Sequence, residues 1–354
     1  MARAASKRSV TTKRSLAEQV DDNAHKKVKD EEIPPPVFSS GCSLLNIALA
    51  EDVAAAYPVG EMVNIIGDKS AGKTLLALTM AAEIAHNHDE FDIVYDDAEG
   101  SADQFNLATV FGQRFVERVK INAPSETVEQ FSQRVREIKK PTVYFIDSYD
   151  SLTSEDEIAF AKKKDAARAK GDKTAGSYGQ AKAKGSSELF RLCRLNLKKT
   201  RSILVVLSQV RENIGASIFE PKYRRNGGKA LDHYAYHIIW LAVCKTLKRE
   251  RTVNGKKLSR IVGQRVRANI TKNKVTGKRR DVEFDTLYGY GVDDIGALLD
   301  FCIEHGATEL TNRKKQISAI ESSAKRMDAL KNRSLKTWLD IETKFAPERK
   351  SRFE

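Results

Sequence analysis

The chain has 354 residues, of which 41% are hydrophobic and 31% charged. That is enough for one large domain or two, each with a full hydrophobic core. No apolar run approaches the roughly 18–20 residues that cross a bilayer, which excludes a spanning helix. The N-terminus is basic but lacks the apolar stretch of a secretory signal. Cys42, Cys193, Cys244 and Cys302 lie far apart and form no CxxC pair. Neither a disulfide framework nor a zinc site is expected, and a reducing cytoplasm fits best. The net charge is +13, and it is concentrated. From Lys245 to Arg280, 14 Lys/Arg stand against one acid, Glu250, so the rest of the chain sums to zero. Such a local surplus points to a polyanionic partner, nucleic acid foremost. The stretch alternates like strands, which argues against a membrane-surface helix.

Residues 1–36 read as a basic tail. Five Lys/Arg and no acid fall in the first 14 positions, and the segment ends in Pro34-Pro35-Pro36. Its sparse apolar residues do not offset the entropy of ordering, so disorder is expected there. From Val37 the composition is globular. Met62–Ile66 is a short apolar run that stops at Gly67, the pattern of a buried strand. Thr74–His86 has helical periodicity and strong helix formers. Asp92–Tyr95 is a second strand, followed by Asp96-Asp97-Ala98-Glu99. Val128–Ile138 reads as helix, Thr142–Ile146 as a strand closing on Asp147, and Ser202–Leu207 as a strand closing on Ser208-Gln209. Helices alternating with apolar strands, with polar residues at the strand ends, predict a parallel α/β sheet with its site at the carboxyl edge.

Two segments break this pattern and read as long loops. Residues 161–184 carry eight Lys/Arg, two Asp and three Gly; residues 211–229 carry five Lys/Arg, two Glu and three Gly. Loops of this length in a compact domain are functional or disordered. Beyond Ile238 the alternation predicts antiparallel strands at one edge of the sheet, with turns at Asn254-Gly255 and Thr276-Gly277. Helices return after Gly291. There is no internal repeat.

The strongest chemical signal is Gly67-Asp68-Lys69-Ser70-Ala71-Gly72-Lys73-Thr74. It fits GxxxxGK(S/T) and lies between a strand and a helix, the context a P-loop requires. Glycines let backbone approach a phosphate, and the amide groups and helix dipole face the anion. Lys73 would reach the β/γ-phosphates of ATP, and Thr74 would ligate Mg²⁺. Asp147 is a Walker B-like carboxylate for the same Mg²⁺, although an acid at a strand end also serves as a helix cap. A carboxylate after the intervening strand would polarise the attacking water. Asp96, Asp97, Glu99 and Asp103 are all candidates on spacing alone. Gln209 is placed to sense the γ-phosphate, or is an ordinary polar strand end.

Taken in order, these motifs resemble the RecA-like recombinase family, of the bacteriophage type, over Ser39–Gly291, some 70% of the chain. Ser39-Ser40-Gly41 and Leu44–Leu49 resemble the entry to that family's core, and the P-loop follows. Tyr95-Asp96-Asp97-Ala98-Glu99 resembles the strand with the catalytic glutamate, which selects Glu99. Phe145-Ile146-Asp147-Ser148 resembles Walker B. Ser208–Gly215 with Gly227–Leu231 resembles the second DNA-binding loop and its allosteric glutamine. Lys272-Asn273-Lys274 resembles the lysines that reach a neighbouring subunit's γ-phosphate, and Leu287–Gly291 resembles the end of the core. Asp103 matches a position near the adenine, while Asn106 stands where an aromatic is common. The family's N-terminal polymerisation helix is not evident.

The resemblance implies a RecA-like P-loop ATPase core over 37–291. A mostly parallel central sheet with antiparallel edge strands would form it, followed by a small C-terminal helical region, 292–354. It implies catalytic roles for Lys73, Glu99, Gln209, Lys272 and Lys274. The two loops would then contact DNA through Lys182, Lys184, Arg211, Gly215, Ile218, Phe219, Arg224, Arg225, Gly227 and Gly228, with Ile218 or Phe219 wedged between bases. The implied partners are single-stranded DNA, homologous duplex DNA and further copies of the chain in a helical filament, with no membrane. A ring-forming helicase of the same ATPase class shares these motifs. So does a nucleotide-gated DNA-binding protein with little turnover.

Overall fold

The computed structural model describes residues 36–102, 106–169, 180–212, 223–225 and 230–348. Residues 1–35 of the expected basic tail, Asp103, Gly215, Ile218, Phe219, Gly227 and Gly228 lie outside the described residues. In chain order the strands are β1 (Pro36–Phe38), β2 (Tyr57–Pro58), β3 (Met62–Gly67), β4 (Asp92–Asp96), β5 (Val119–Asn122), β6 (Thr142–Ile146), β7 (Ile203–Glu212), β8 (Tyr223–Arg225), β9 (His237–Val253), β10 (Lys256–Asn273), β11 (Asp281–Leu287) and β12 (Gly291–Val292). β1 and β2 pair with each other, and the main sheet runs β12-β11-β10-β9-β3-β7-β6-β4-β5, with β8 paired to β7.

β3, β7, β6 and β4 are parallel, as the buried apolar runs predict, and β5, which no such run announces, pairs parallel to β4. β9 is the changeover strand: parallel to β3 on one side and antiparallel to β10 on the other. Helices cover both faces, so the central parallel strands β3 and β6 are buried along their whole length. Val63, Val143, Phe145, Val205 and Leu207 face a core shared with the helix Lys73–Asn87 and the helix Ser43–Ala50. Their alternates Met62, Tyr144, Ile146, Leu204 and Val206 face a second cluster built on the helices Val128–Arg136 and Gln180–Thr200. The helices Asp294–Glu304 and Ala324–Lys344 pack onto the first core through Leu298, Leu299, Leu330 and Trp338. Among the described residues no helix is long and apolar enough to cross a membrane.

Two segments differ from the loops expected. Within 161–184, the helices Glu155–Ala169 and Gln180–Thr200 take 161–169 and 180–184, so Lys182 and Lys184 are helical, and 170–179 lies outside the described residues. Ala, Lys and Arg are strong helix formers even without an apolar stripe, and Glu155, Asp156 and Glu157 suit the positive end of the first helix. Within 211–229, β7 runs on through Arg211 to Glu212, and β8 pairs back on it, with Arg211 opposite Arg224 and Val210 opposite Arg225.

His237, at the start of β9, is fully buried between Tyr57 and Tyr236, with ring centroids 5.6 and 5.2 Å away. Among the described residues neither ring nitrogen makes a hydrogen bond of normal geometry, and the nearby Ala56 backbone offers only a weak one. Burial pushes its pKa from 6.5 down to about 3. The unfolded chain therefore binds the proton that the folded chain refuses. Stability from this group is full above 6.5 and falls on acidification toward 3, by about 1.4 kcal/mol per pH unit. His237→Phe keeps the ring contacts and should flatten the acid limb of an unfolding free-energy profile between pH 6.5 and 4; an unchanged limb would refute this.

Candidate nucleotide site

β3 ends at Gly67 and the helix Lys73–Asn87 starts six residues later. Gly67 is needed for closeness: a Cβ there would stand 2.9 Å from the Leu241 carbonyl oxygen. Gly72 is needed for conformation, since φ is +86° at this helix cap. The first-turn amides of a 15-residue helix thus face the loop, forming an anion site. The Lys73 ammonium donates to the carbonyls of Gly67 (3.1 Å) and Asp68 (2.9 Å). Burial lowers its pKa, opposed by Asp147, Glu99, Asp68 and Asp150.

The register of the sheet assembles the rest. Gly67 lies beside Gln209, and Asp96, Ile146 and Val206 are successive neighbours across β4, β6 and β7. Residues that follow these strands therefore gather at one carboxyl edge. The Thr74 hydroxyl donates to Asp147 Oδ2 at 2.7 Å, and the Tyr95 hydroxyl donates to the same oxygen at 2.8 Å. Asp147 Oδ1 is buried and has no hydrogen-bond partner among the described residues. A carboxylate with one unused buried oxygen beside a hydroxyl is a hard-oxygen set that suits Mg²⁺ bound with waters and phosphate oxygens. Burial pushes the Asp147 carboxyl up to about 6; Glu99 and Asp97 add to this, while the Thr74 and Tyr95 hydrogen bonds oppose it.

The acids left open by spacing are separated by their surroundings. Asp96 is fully buried and accepts from Ser125 N (2.8 Å), Ser125 Oγ (2.6 Å) and Tyr144 OH (2.6 Å). Asp97 accepts from the amides of Ser101 and Ala102, both at 2.9 Å. Both carboxylates are thus committed to holding backbone. Glu99 is exposed and fixed through its main chain, its amide donating to the Asp147 carbonyl at 2.9 Å. Gln209 Nε2 donates to Glu99 Oε2 at 2.8 Å.

A family model of the RecA N-terminal domain matches residues 18–293. The chain belongs to the RecA family. It is 30% identical over 274 residues to Protein RecA of Syntrophobacter fumaroxidans, covering 77% of this chain and 72% of that protein. Protein RecA of Colwellia psychrerythraea is 30% identical over 279 residues, covering 77% and 71%. The RadB recombinase structure superposes with a TM-score of 0.48 at 14% identity, over 72% of this chain and 98% of that one.

In this RecA-family chain, Lys272 and Lys274 stand apart from the other expected site residues. Lys272 pairs with Ile238, which pairs with Asn64, three positions before Gly67. That is roughly 10 Å toward the opposite edge of the sheet. The Lys272 ammonium donates to the carbonyls of Asp232 and His233. Burial, with Lys274 and Arg194 nearby, pushes it down to about 8. Lys274 lies 5.7 Å from the Tyr236 ring centroid. Asn106 caps the helix Leu107–Phe111, accepting from the Thr109 amide at 3.2 Å.

Sequence reasoning missed two residues. Tyr95 steadies Asp147, and Asp150 accepts from the Gln209 amide at 2.6 Å. The only hint of the second was its place three residues past Asp147.

The folded Asp147 carboxyl holds its proton more tightly than an unfolded one. The stability it contributes is therefore present below about 4 and lost as pH rises through about 6, by roughly 3 kcal/mol. Without nucleotide or divalent cation, Asp147→Asn should melt above the parent protein at pH 7.5, with the gap about halved at pH 5 and closed below about 4. A pH-independent gap in thermal denaturation would show that the carboxyl carries no such burden.

Proposed function

We propose that the chain is an ATP-dependent DNA recombinase that polymerises on single-stranded DNA as a helical filament and pairs it with homologous duplex. The observation that carries this reading is the Gln209–Glu99 hydrogen bond at 2.8 Å. Two residues beyond it, β7 reaches Arg211 at the start of the basic 211–229 segment. One strand thus joins the candidate hydrolytic carboxylate to the candidate DNA contacts.

In this scheme the amides from Asp68 to Gly72 hold the β-phosphate and Lys73 leaves its loop carbonyls for the γ-phosphate. Thr74 and Asp147 would hold Mg²⁺, which would neutralise phosphate charge. Glu99 would orient a water and take its proton as the water attacks the γ-phosphorus, while the bond to the β–γ bridging oxygen breaks and ADP leaves. Gln209 exchanges Glu99 for the γ-phosphate and passes the change along β7. DNA phosphates would be met by Lys182, Lys184, Arg211, Arg224 and Arg225, and Gly215, Gly227 and Gly228 would let the backbone approach. Ile218 or Phe219 would separate bases. Asp103 would face the adenine.

The register of Lys272 supports a filament. With the pair on the far edge from its own P-loop, these cations would complete only a neighbouring copy's site. Hydrolysis would then depend on assembly, as with an arginine finger supplied in trans.

Strand exchange between homologous oligonucleotides tests the function. Exchange should require ATP, and its absence in both conditions would reject the reading. Glu99→Gln should keep filaments visible by electron microscopy but slow DNA-stimulated hydrolysis about 10²–10⁴-fold; unchanged turnover would move the role to another acid. A mixture of the Glu99→Gln variant with the Lys272→Ala/Lys274→Ala variant should regain turnover that neither has alone. No recovery would place the lysines outside the neighbour's site.

A further inference from the structure

The β9–β10 hairpin outruns the sheet. β3 ends beside Leu241 of β9, and β11 ends opposite Gly263 of β10. Residues 248–261 therefore pair only with each other. Because β9 is parallel to β3, this ribbon leaves the sheet from the same edge as the P-loop and Gln209. All of 248–261 is exposed.

Directly opposed residues share one face of a ribbon. The pairs Lys245–Arg265, Leu247–Gly263, Arg249–Arg260, Arg251–Leu258 and Val253–Lys256 define one face, and Thr246–Gln264, Lys248–Ile261, Glu250–Ser259 and Thr252–Lys257 the other. Arg265 at the base is engaged by Asp285 and Asp300. The first face is left with Lys245, Arg249, Arg251, Lys256 and Arg260 and no acid of its own. Among the described residues none of these five is paired with a carboxylate. The second face is nearly balanced, and Lys257 pairs with Glu250 at 2.7 Å.

Arg249 directly opposite Arg260 opposes hairpin formation, since like charges across a ribbon repel. A partner anion would remove that repulsion. The ribbon has no aromatic residue between Lys245 and Val262 on which an unstacked base could stack. A two-stranded β-ribbon does fit the duplex major groove, and the basic face runs roughly 20 Å from Lys245 to Arg251.

We propose that this face of the β9–β10 ribbon docks double-stranded DNA, as a surface separate from the 161–184 and 211–229 segments. The choice of DNA among polyanions rests on the recombinase reading. The one-sided charge does not.

The test compares two double variants with equal loss of charge. Arg249→Glu/Arg260→Glu alters the basic face, and Lys248→Glu/Lys257→Glu alters the other. Binding of a labelled duplex and of a single strand of equal length is followed by fluorescence anisotropy over a salt series. The first variant should bind duplex at least tenfold more weakly, with its salt slope reduced by about 2, near 0.9 per lost phosphate contact. Its single-strand-stimulated ATP turnover should be unchanged, and the second variant should lose far less duplex affinity. Equal losses in the two variants, a loss confined to single strands, or no loss would each overturn the proposal. Arg260→Glu alone guards against misfolding: it places an acid opposite Arg249, so its melting temperature should hold or rise while duplex affinity falls. If the parent protein shows no strand exchange but the face-dependent duplex loss persists, the ribbon stands and the recombinase reading fails.

Discussion

Everything at the candidate site depends on the parallel pairing of β3 with β7, which sets Gly67 beside Gln209. A slip of one residue would turn the Gln209 side chain to the other face of the sheet and away from Glu99. Burial fixes this register weakly, because both faces of β7 are apolar. Polar contacts supply the rest. Leu204 N–H donates to the Glu61 carbonyl, Gly60 N–H donates to the Ser202 carbonyl, and Ser208 Oγ donates to Asn64 Oδ1. Asp150 then fixes the other end by accepting from the Gln209 amide.

The same edge shows how one acidic cluster divides into separate tasks. Asp96 and Asp97 are saturated by nearby donors and act as struts. Asp147 is buried with one oxygen satisfied and one unpaired among the described residues. Glu99 has a fixed main chain and an exposed carboxylate that, among the described residues, accepts a hydrogen bond only from the Gln209 side-chain amide. Desolvation and hydrogen bonding, rather than residue type, distinguish them.

Much of this was legible in the chain. The strands Met62–Gly67 and Thr142–Ile146 are unbroken apolar runs ending at a glycine and an acid, and they appear where the pattern puts them. The turn at Asn254-Gly255 joins β9 to β10. The two basic segments were less legible. Low apolar content was read as loop, yet Ala- and Lys-rich stretches on either side of 170–179 are helical. β7 continues past its apolar run because β8 supplies ladder partners to Val210–Glu212, a contact between distant positions that no local pattern announces.

The sequence by itself determined the elements and the chemical types available: an anion-binding turn, a lysine and threonine at its exit, carboxylates at strand ends, and a basic stretch from Lys245 to Arg280. These follow from local spacing and short-range sterics. Only the tertiary structure decided which carboxylate stays unsaturated, that Lys272 stands across the sheet from its own P-loop, and that five cations share one face of a ribbon. Those outcomes depend on strand register and burial, which arise from contacts between residues far apart in the chain.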